Sequence, residues 1–415
     1  MVAGGDPPFH GTATGVGFPA FGSGSRALRA TLLTIAVAAT ACSEPVEFPD
    51  WTFRVPEGTR VVEYDGVPLD GRDQWIDLVE ELTIGGPDGD EGLLLHPRGY
   101  TEGGLAVDPR GGRLFVLDNG NFRVLAFDAA SGAHLFRVGQ QGEGPGELRR
   151  PTRIAIAGDQ LVIVDSTAPK LSYWSLDGEH VRDVSAQAVR LAQYIAGFSD
   201  SSLVVRIPER DGDDRKLVLA RIDAEGEELH RYSSSPGPRF DNAMISGRTL
   251  MVSHLGPEAT FAVADGDRLY WTPANEYQVA AAGAGGAFEW ALRVALPAAP
   301  YPQAQIDGML ESIRGRFPEA TEATFNWPET YPVLSRLLVD GHGHLYVFPY
   351  VDSDYLEAHG GRPVDVYGPG GERLFTGMIA STWEAALDDA VFNYEELGET
   401  EEWGVVRYRL AEPFR

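Results

Sequence analysis

An all-β fold built from repeated four-stranded sheets is predicted by three observations. The first is composition: 49 glycines and 28 prolines in 415 residues recur at intervals instead of forming one tract, as a chain with many tight turns requires. The second is a short apolar pattern that returns five times, as "LFVLD" from Leu114, "LVIVD" from Leu161, "LVVRI" from Leu203, "LYWTP" from Leu269 and "LYVFP" from Leu345. The third is its surroundings. A shorter strand-like run and a turn usually precede it, and another strand with a second Gly- or Asp-rich turn follows.

Taken in order, "LAVDPRGGRLFVLD" with "VLAFDAASGAHLFRVG" makes the first complete unit, and "IAIAGDQLVIVD" with "LSYWSLDGEHVRDVS" the second. The third continues through "LVLARIDAEGEELHRYS", the fourth holds "FAVADGDRLYWTP", and the fifth joins "LLVDGHGHLYVFP" to "VDVYGPGGERLFTGMI". Alternating apolar and polar residues punctuated by Asp-Gly or Gly-Gly mark antiparallel strands joined by hairpins. Four strands per unit, repeating every ~40 residues or more, predict a β-propeller.

The sixth blade is split between the chain ends. "ELTIGGPDGDEGLLLHPRGYTEGGLAVDP" near the start parallels "HLFRVGQQGEGPGELRRPTRIAIAGD" piece by piece, so Glu81 to Ile84 reads as the last strand of a blade. Its other strands are expected in "AVFNYEELGE" and in the alternating "WGVVRYRL" from Trp403 to Leu410. Pairing the two ends in one sheet closes the ring and removes an open edge. The Gly-rich "GQQGEGPGELRRP" from Gly139 to Pro151 is followed by a strand, "TRIAIAG", and lacks the helix and lysine of a phosphate-binding loop. It reads as an inter-blade connector, its glycines permitting positive φ and its prolines stiffening the crossing.

The "GxxGxGPGExxxP" connector, the "LAVDPxGxLFVLDxxNxRVLxFD" unit and the split last blade resemble NHL-type six-bladed β-propellers, in particular a bacterial lipoprotein subset. The resemblance covers roughly Leu78 to Leu410 and is strongest from Gly104 to Ser185. It implies a six-bladed ring. About activity it implies little, since that group includes binding modules, receptor sensor domains and a few lyases or hydrolases.

The formal charge of −27 argues against binding nucleic acid or anionic lipid headgroups. Arg26 and Arg29 precede an uncharged run from Ala30 to Ala41, and Cys42, the single cysteine, follows at once. The run is too short for the ~20 residues of a membrane span and matches a signal-peptide apolar core. Ala39-Thr40-Ala41-Cys42 resembles a lipobox, with Ala39 where leucine is usual, which implies lipid attachment at Cys42. The expected organisation is a signal peptide with lipobox over 1–42, an extended tether over 43–72, and a propeller over 73–415. The expected location is the cell envelope, lipid-anchored, or secreted if the lipobox is unused.

Two insertions break the blade rhythm, Tyr232 to Glu258 and Pro297 to Thr330. In the second, Ile306, Met309, Leu310, Ile313 and Phe317 fall on one helical face. Long excursions between blades lie over one end of the channel. Arg239, Phe240, Arg248, Arg314, Trp327 and Tyr331 are therefore the candidate ligand-binding residues, for a peptide, glycan or protein partner; the plainer reading has the stripe covering a blade edge. Asp352 and Asp354 in "DSD" offer oxygen ligands suited to calcium, against a solvated loop; no other cofactor is expected. His342 and His344 stand two apart, as metal ligands or as ordinary turn residues. Asp118, Asn119, Asn121, Asp165 and Ser166 fall in hairpins, where such side chains bond their own turns. The expected function is a non-catalytic binding protein anchored in the envelope. The competing expectation is a metal-dependent lyase or hydrolase working at the central channel.

Overall fold

The computed structural model describes residues 48, 50–85, 103–167, 169–211, 214–236, 240–245, 248–253, 258–325, 327–397 and 402–411. Cys42, the apolar run before it and most of the first Gly-rich connector lie outside these residues.

Five blades come from consecutive antiparallel hairpins. Their strands are Leu105–Asp108, Arg113–Asp118, Arg123–Asp128 and His134–Val138 in the first, and Pro151–Ala157, Gln160–Asp165, Lys170–Ser175 and His180–Ser185 in the second. The third holds Tyr194–Gly197, Leu203–Asp211, Asp214–Ile222 and Glu228–Pro236. The fourth holds Thr260–Ala264, Arg268–Thr272, Gln278–Gly283 and Phe288–Ala295, and the fifth Leu334–Val339, Leu345–Pro349, Arg362–Tyr367 and Arg373–Ile379.

The sixth blade takes Ala385–Leu387, Ala390–Leu397 and Glu402–Ala411 from the C-terminus and Trp75–Gly85 from the N-terminus. Asp77 pairs with Ala411 and Ile84 with Val405, antiparallel, so the two chain ends close the ring as the sequence predicts. The protein is an all-β, six-bladed propeller.

Side-chain alternation explains why the ring holds. In the first blade Leu114 and Val116 point towards the sixth blade, while Phe115 and Leu117 point towards the second. Leu161 and Ile163 of the second blade complete that second interface, and Val162 and Val164 begin the next one with Leu203 and Val205. The three remaining interfaces alternate in the same way, and Phe392 and Tyr394 of the sixth blade meet Leu114 to close the ring. Second strands are buried on both faces and so read as near-continuous apolar runs.

The Gly139 connector is an inter-blade crossing. Gly139 has φ +79°, and a Cβ there would meet the Leu148 side chain at 2.6 Å. The Glu147 carboxylate accepts from Gly144 N at 2.7 Å and Gln140 Nε2 at 2.9 Å. Asp183 of the outer strand accepts from Gly146 N at 3.0 Å and ion-pairs with Lys170 at 3.1 Å. Burial opposes its ionisation, but hydrogen bonds from Ser172, Gly146, His180 and Lys170 outweigh it and hold the Asp183 carboxyl at about 2.

Much of the segment expected as a tether is docked on the propeller. Arg60–Asp65 adds a fifth strand, parallel to Trp290–Ala295, on the outer edge of the fourth blade. Phe53 packs on Trp271 with ring centroids 4.5 Å apart. Arg72, with a side chain only 2% exposed, pairs with Asp365 at 3.3 Å. Trp75 and Ile76 then run parallel to Met378 and Ile379 before the strand enters the sixth blade. The outer edges of the fourth and fifth blades offer unpaired backbone groups, and this extended strap satisfies part of them. The first insertion also starts later than expected, because the outer strand of the third blade runs on to Pro236.

Candidate functional site

Because strands alternate in direction, the turns between second and third strands and the links between blades all emerge on one rim. That rim carries both insertions and the short helix Ser353–His359. The first insertion contains a hairpin, Phe240–Ile245 with Arg248–Ser253, and the second a helix, Gln303–Arg314. The two meet: Ile245 packs in one cluster with Tyr301, Ile306, Leu310, Phe325 and Tyr331. Met309, Ile313 and Phe317 join it, so the predicted helical stripe faces this secondary core. Tyr331 packs between the tilted rings of Tyr301 and Tyr350, with centroids 5.0 and 4.9 Å away. Burial first, then Tyr350 and the nearby carboxylates, push its phenol up to about 12.

Inside the ring the six first strands line a cavity of about 370 Å³. Its wall is mixed: Leu105, Ile154, Ile195 and Leu337 line it together with Asp265, Asp340 and Asp388. At the end nearest the insertions an ionic contact joins two blades. Arg336 Nη2 of the fifth blade donates to Glu384 Oε1 of the sixth at 2.8 Å, and Glu384 Oε2 accepts from Gly103 N at 2.9 Å. Ile154 N then donates to Gly103 O at 2.9 Å, and Arg153 Nε to Gln193 O at 2.7 Å. Gln193 N donates to Arg206 O at 2.9 Å, and Arg206 Nη1 reaches Ala259 O at 2.9 Å. Val333 N to Ala274 O, 2.9 Å, completes a circuit through all six blades.

Three buried polar atoms on this circuit, Thr152 Oγ1, Gln193 Oε1 and Arg206 Nε, have no hydrogen-bond partner among the described residues. One further arginine, Arg362, lies at this rim on the third strand of the fifth blade. Burial, and then the charge of Arg336, pull its guanidinium below the usual arginine value.

The residues singled out from sequence fare differently. Trp327 and Tyr331 join the insertion cluster, and Trp327 Nε1 donates to Glu322 O at 3.0 Å. Arg314 Nε donates to Ala320 O at 2.9 Å and closes the turn after its helix. Phe240 and Arg248 pair backbone to backbone with Ser253 and Ile245; Arg239 lies outside the described residues. Asp352 is the N-cap of the short helix, its Oδ1 accepting from Tyr355 N at 2.9 Å, and Asp354 sits in the first turn. The "DSD" stretch is thus a helix start instead of a solvated loop, because a carboxylate before an apolar turn satisfies free amide hydrogens there.

On the opposite rim, His342 Nε2 meets Asp389 and His344 Nδ1 meets Asp340, each at 2.8 Å. On the insertion-bearing rim, Asp118 pairs with Arg123 at 2.7 Å and bonds Asn121, and Asp165 accepts from Thr167 N at 3.1 Å as well as from the Arg149 and Arg150 amides of the connector. These are the turn roles expected of them. Sequence reasoning passed over Arg153, Arg336 and Arg362. The signal for two of them was the matching position of arginine in "PTRIAIA" and "LSRLLVD", each near the start of a first strand.

Fold and rim together define a six-bladed propeller with a polar, arginine-bearing channel mouth on the rim from which the two packed insertions leave. A family model described as a 6-bladed beta-propeller matches residues 106–195. No curated protein matches the sequence. Among solved structures, a Bacteroides fragilis protein described as exported is similar at 12% identity, over 85% of this chain and 99% of that one, with a TM-score of 0.47. A Bacteroides vulgatus protein from a family of unknown function is similar at 12% identity, over 81% and 99%, with a TM-score of 0.47. A gluconolactonase from Xanthomonas campestris is similar at 14% identity, over 80% and 98%, with a TM-score of 0.38. At these identities and TM-scores no activity passes from them to this chain.

Proposed function

We propose that this protein is a non-catalytic binding protein of the cell envelope, held by a lipid on Cys42, that receives a peptide, glycan or protein partner on the rim carrying the insertions. The observation that carries this reading is the joint packing of the two insertions, Ile245 of one against Leu310 and Phe325 of the other, beside the channel mouth. An insertion that merely capped its own blade would have no reason to build a core with a second one. Rigid blades beneath hold this platform in place, which suits recognition by side chains on loops. The apolar run from Ala30 to Ala41 and the lipobox-like Ala39-Thr40-Ala41-Cys42 support the location.

Two experiments test it. A photo-crosslinking amino acid at position 327 should capture a defined partner in intact cells, and the same probe at Asp177, in a turn of the opposite rim, should not. Equal capture at both positions, or none at either, removes the assignment of the face. Separately, Cys42→Ala should move the protein from the membrane fraction to the soluble fraction; an unchanged distribution refutes the anchor.

A further inference from the structure

We propose that the fifth-blade face turned to the sixth blade at this rim binds an oxyanion of the ligand, a carboxylate or a phosphate group, through Arg362 with Arg336 beside it. This rests on the reading that the insertion-bearing rim is the binding face, and it adds the chemistry that the face recognises.

Strand register places both side chains on the same surface. Arg336 lies two residues before Leu338, and Arg362 two before Val364, with no bulge inside either step. Leu338 and Val364 pack together against Trp383 and Val391 of the sixth blade, so both arginines turn towards that blade. Arg336 confirms the direction, since its guanidinium bonds Glu384 and also lies 3.4 Å from Thr382 Oγ1. Arg362 is half-buried, and its side chain makes no hydrogen bond or ion pair with any described residue.

That isolation stands out in this chain. Asp and Glu number 61 against 34 Lys and Arg, so carboxylates are in large excess. Four other partly buried arginines find one: Arg123 takes Asp118, Arg113 takes Asp108, Arg268 takes Glu289 and Arg407 takes Glu81. Here Glu384 is taken by Arg336, and Arg362 is left without a carboxylate among the described residues. The local balance is therefore one positive charge, on a protein whose formal total is −27. Burial disfavours this cation and the like charge beside it adds to the cost. A bound oxyanion would relieve both, and the planar guanidinium presents parallel N–H groups that fit a carboxylate or phosphate edge.

The test uses residues 43–415, which hold the whole compact unit Val46–Arg415. Citrate, inorganic phosphate and neutral glycerol would each be titrated by calorimetry at low ionic strength, where screening is weak. Wild type should bind citrate or phosphate saturably and glycerol not at all. Arg362→Gln should weaken that binding by about tenfold or more. Arg137→Gln, on the exposed outer strand of the first blade, should bind like wild type. Arg362→Lys should fall between, since it keeps the charge and loses the fork. Thermal unfolding of each variant confirms that it is folded. Preference for citrate or for phosphate identifies the group. No saturable binding by wild type, or equal binding by wild type and Arg362→Gln, overturns the site. If crosslinking at position 327 succeeds while both anions fail, the binding face stands and this inference falls; the reverse outcome keeps the anion site and removes the face.

Discussion

Replacing Arg72 with methionine should destabilise the propeller by about 3–5 kcal/mol, the usual cost of leaving one member of a buried ion pair alone. Arg72 and Asp365 have side chains only 2% and 3% exposed. The guanidinium also donates to Val364 O and Val67 O, each at 3.2 Å. After the substitution, the Asp365 carboxylate keeps the Tyr277 hydroxyl at 2.7 Å and loses its counter-ion. For a domain of this size about 2 °C accompanies each kcal/mol, so Tm should fall by about 6–10 °C. Guanidinium denaturation gives the free energy directly. Hydrogen exchange should show faster exchange in Arg60–Asp65, because Arg72 pins the strap that ends there. Arg293→Met breaks a more exposed pair with Glu63 and should cost less than about 1 kcal/mol. A loss below about 1 kcal/mol for Arg72→Met, or strict additivity with Asp365→Asn, would refute the argument.

Three other outcomes follow from the same structure. Asp183 is held at about 2, below the ordinary 3.8, so its contribution to stability is complete above about pH 4 and is lost as pH falls towards 2. Urea midpoints should show this acid-side loss in wild type and a shallower one in Asp183→Asn, which starts lower at pH 7. Leu310→Ala removes a side chain 2% exposed and should cost about 2–5 kcal/mol locally. Limited proteolysis should then cut within residues 303–331 while the blades resist. Gly341→Ala would bring a Cβ within 2.1 Å of Asp388 N, a backbone atom, and should lower the urea midpoint by the equivalent of about 1–3 kcal/mol.

The ring itself was legible in the sequence. Each second strand alternates two apolar faces, and in a propeller both faces are covered, so "LFVL" or "LVIV" marks a blade without further information. Closure was legible for the same reason: the alternation of Trp403 to Leu410 needed a partner strand, and Glu81 to Ile84 had none nearby in sequence. The helical stripe from Ile306 to Phe317 carried its own period and found its core. Tertiary structure alone decided the rest. The strand Arg60–Asp65 reads as polar linker because it has only an outer blade edge to cover, and nothing local shows that Arg72 will be buried against a residue 293 positions away. Arg336 and Arg362 are ordinary strand residues until register turns both towards the sixth blade. Apolar periodicity is written into each strand by its own burial, whereas the meeting of charges depends on which blades lie side by side.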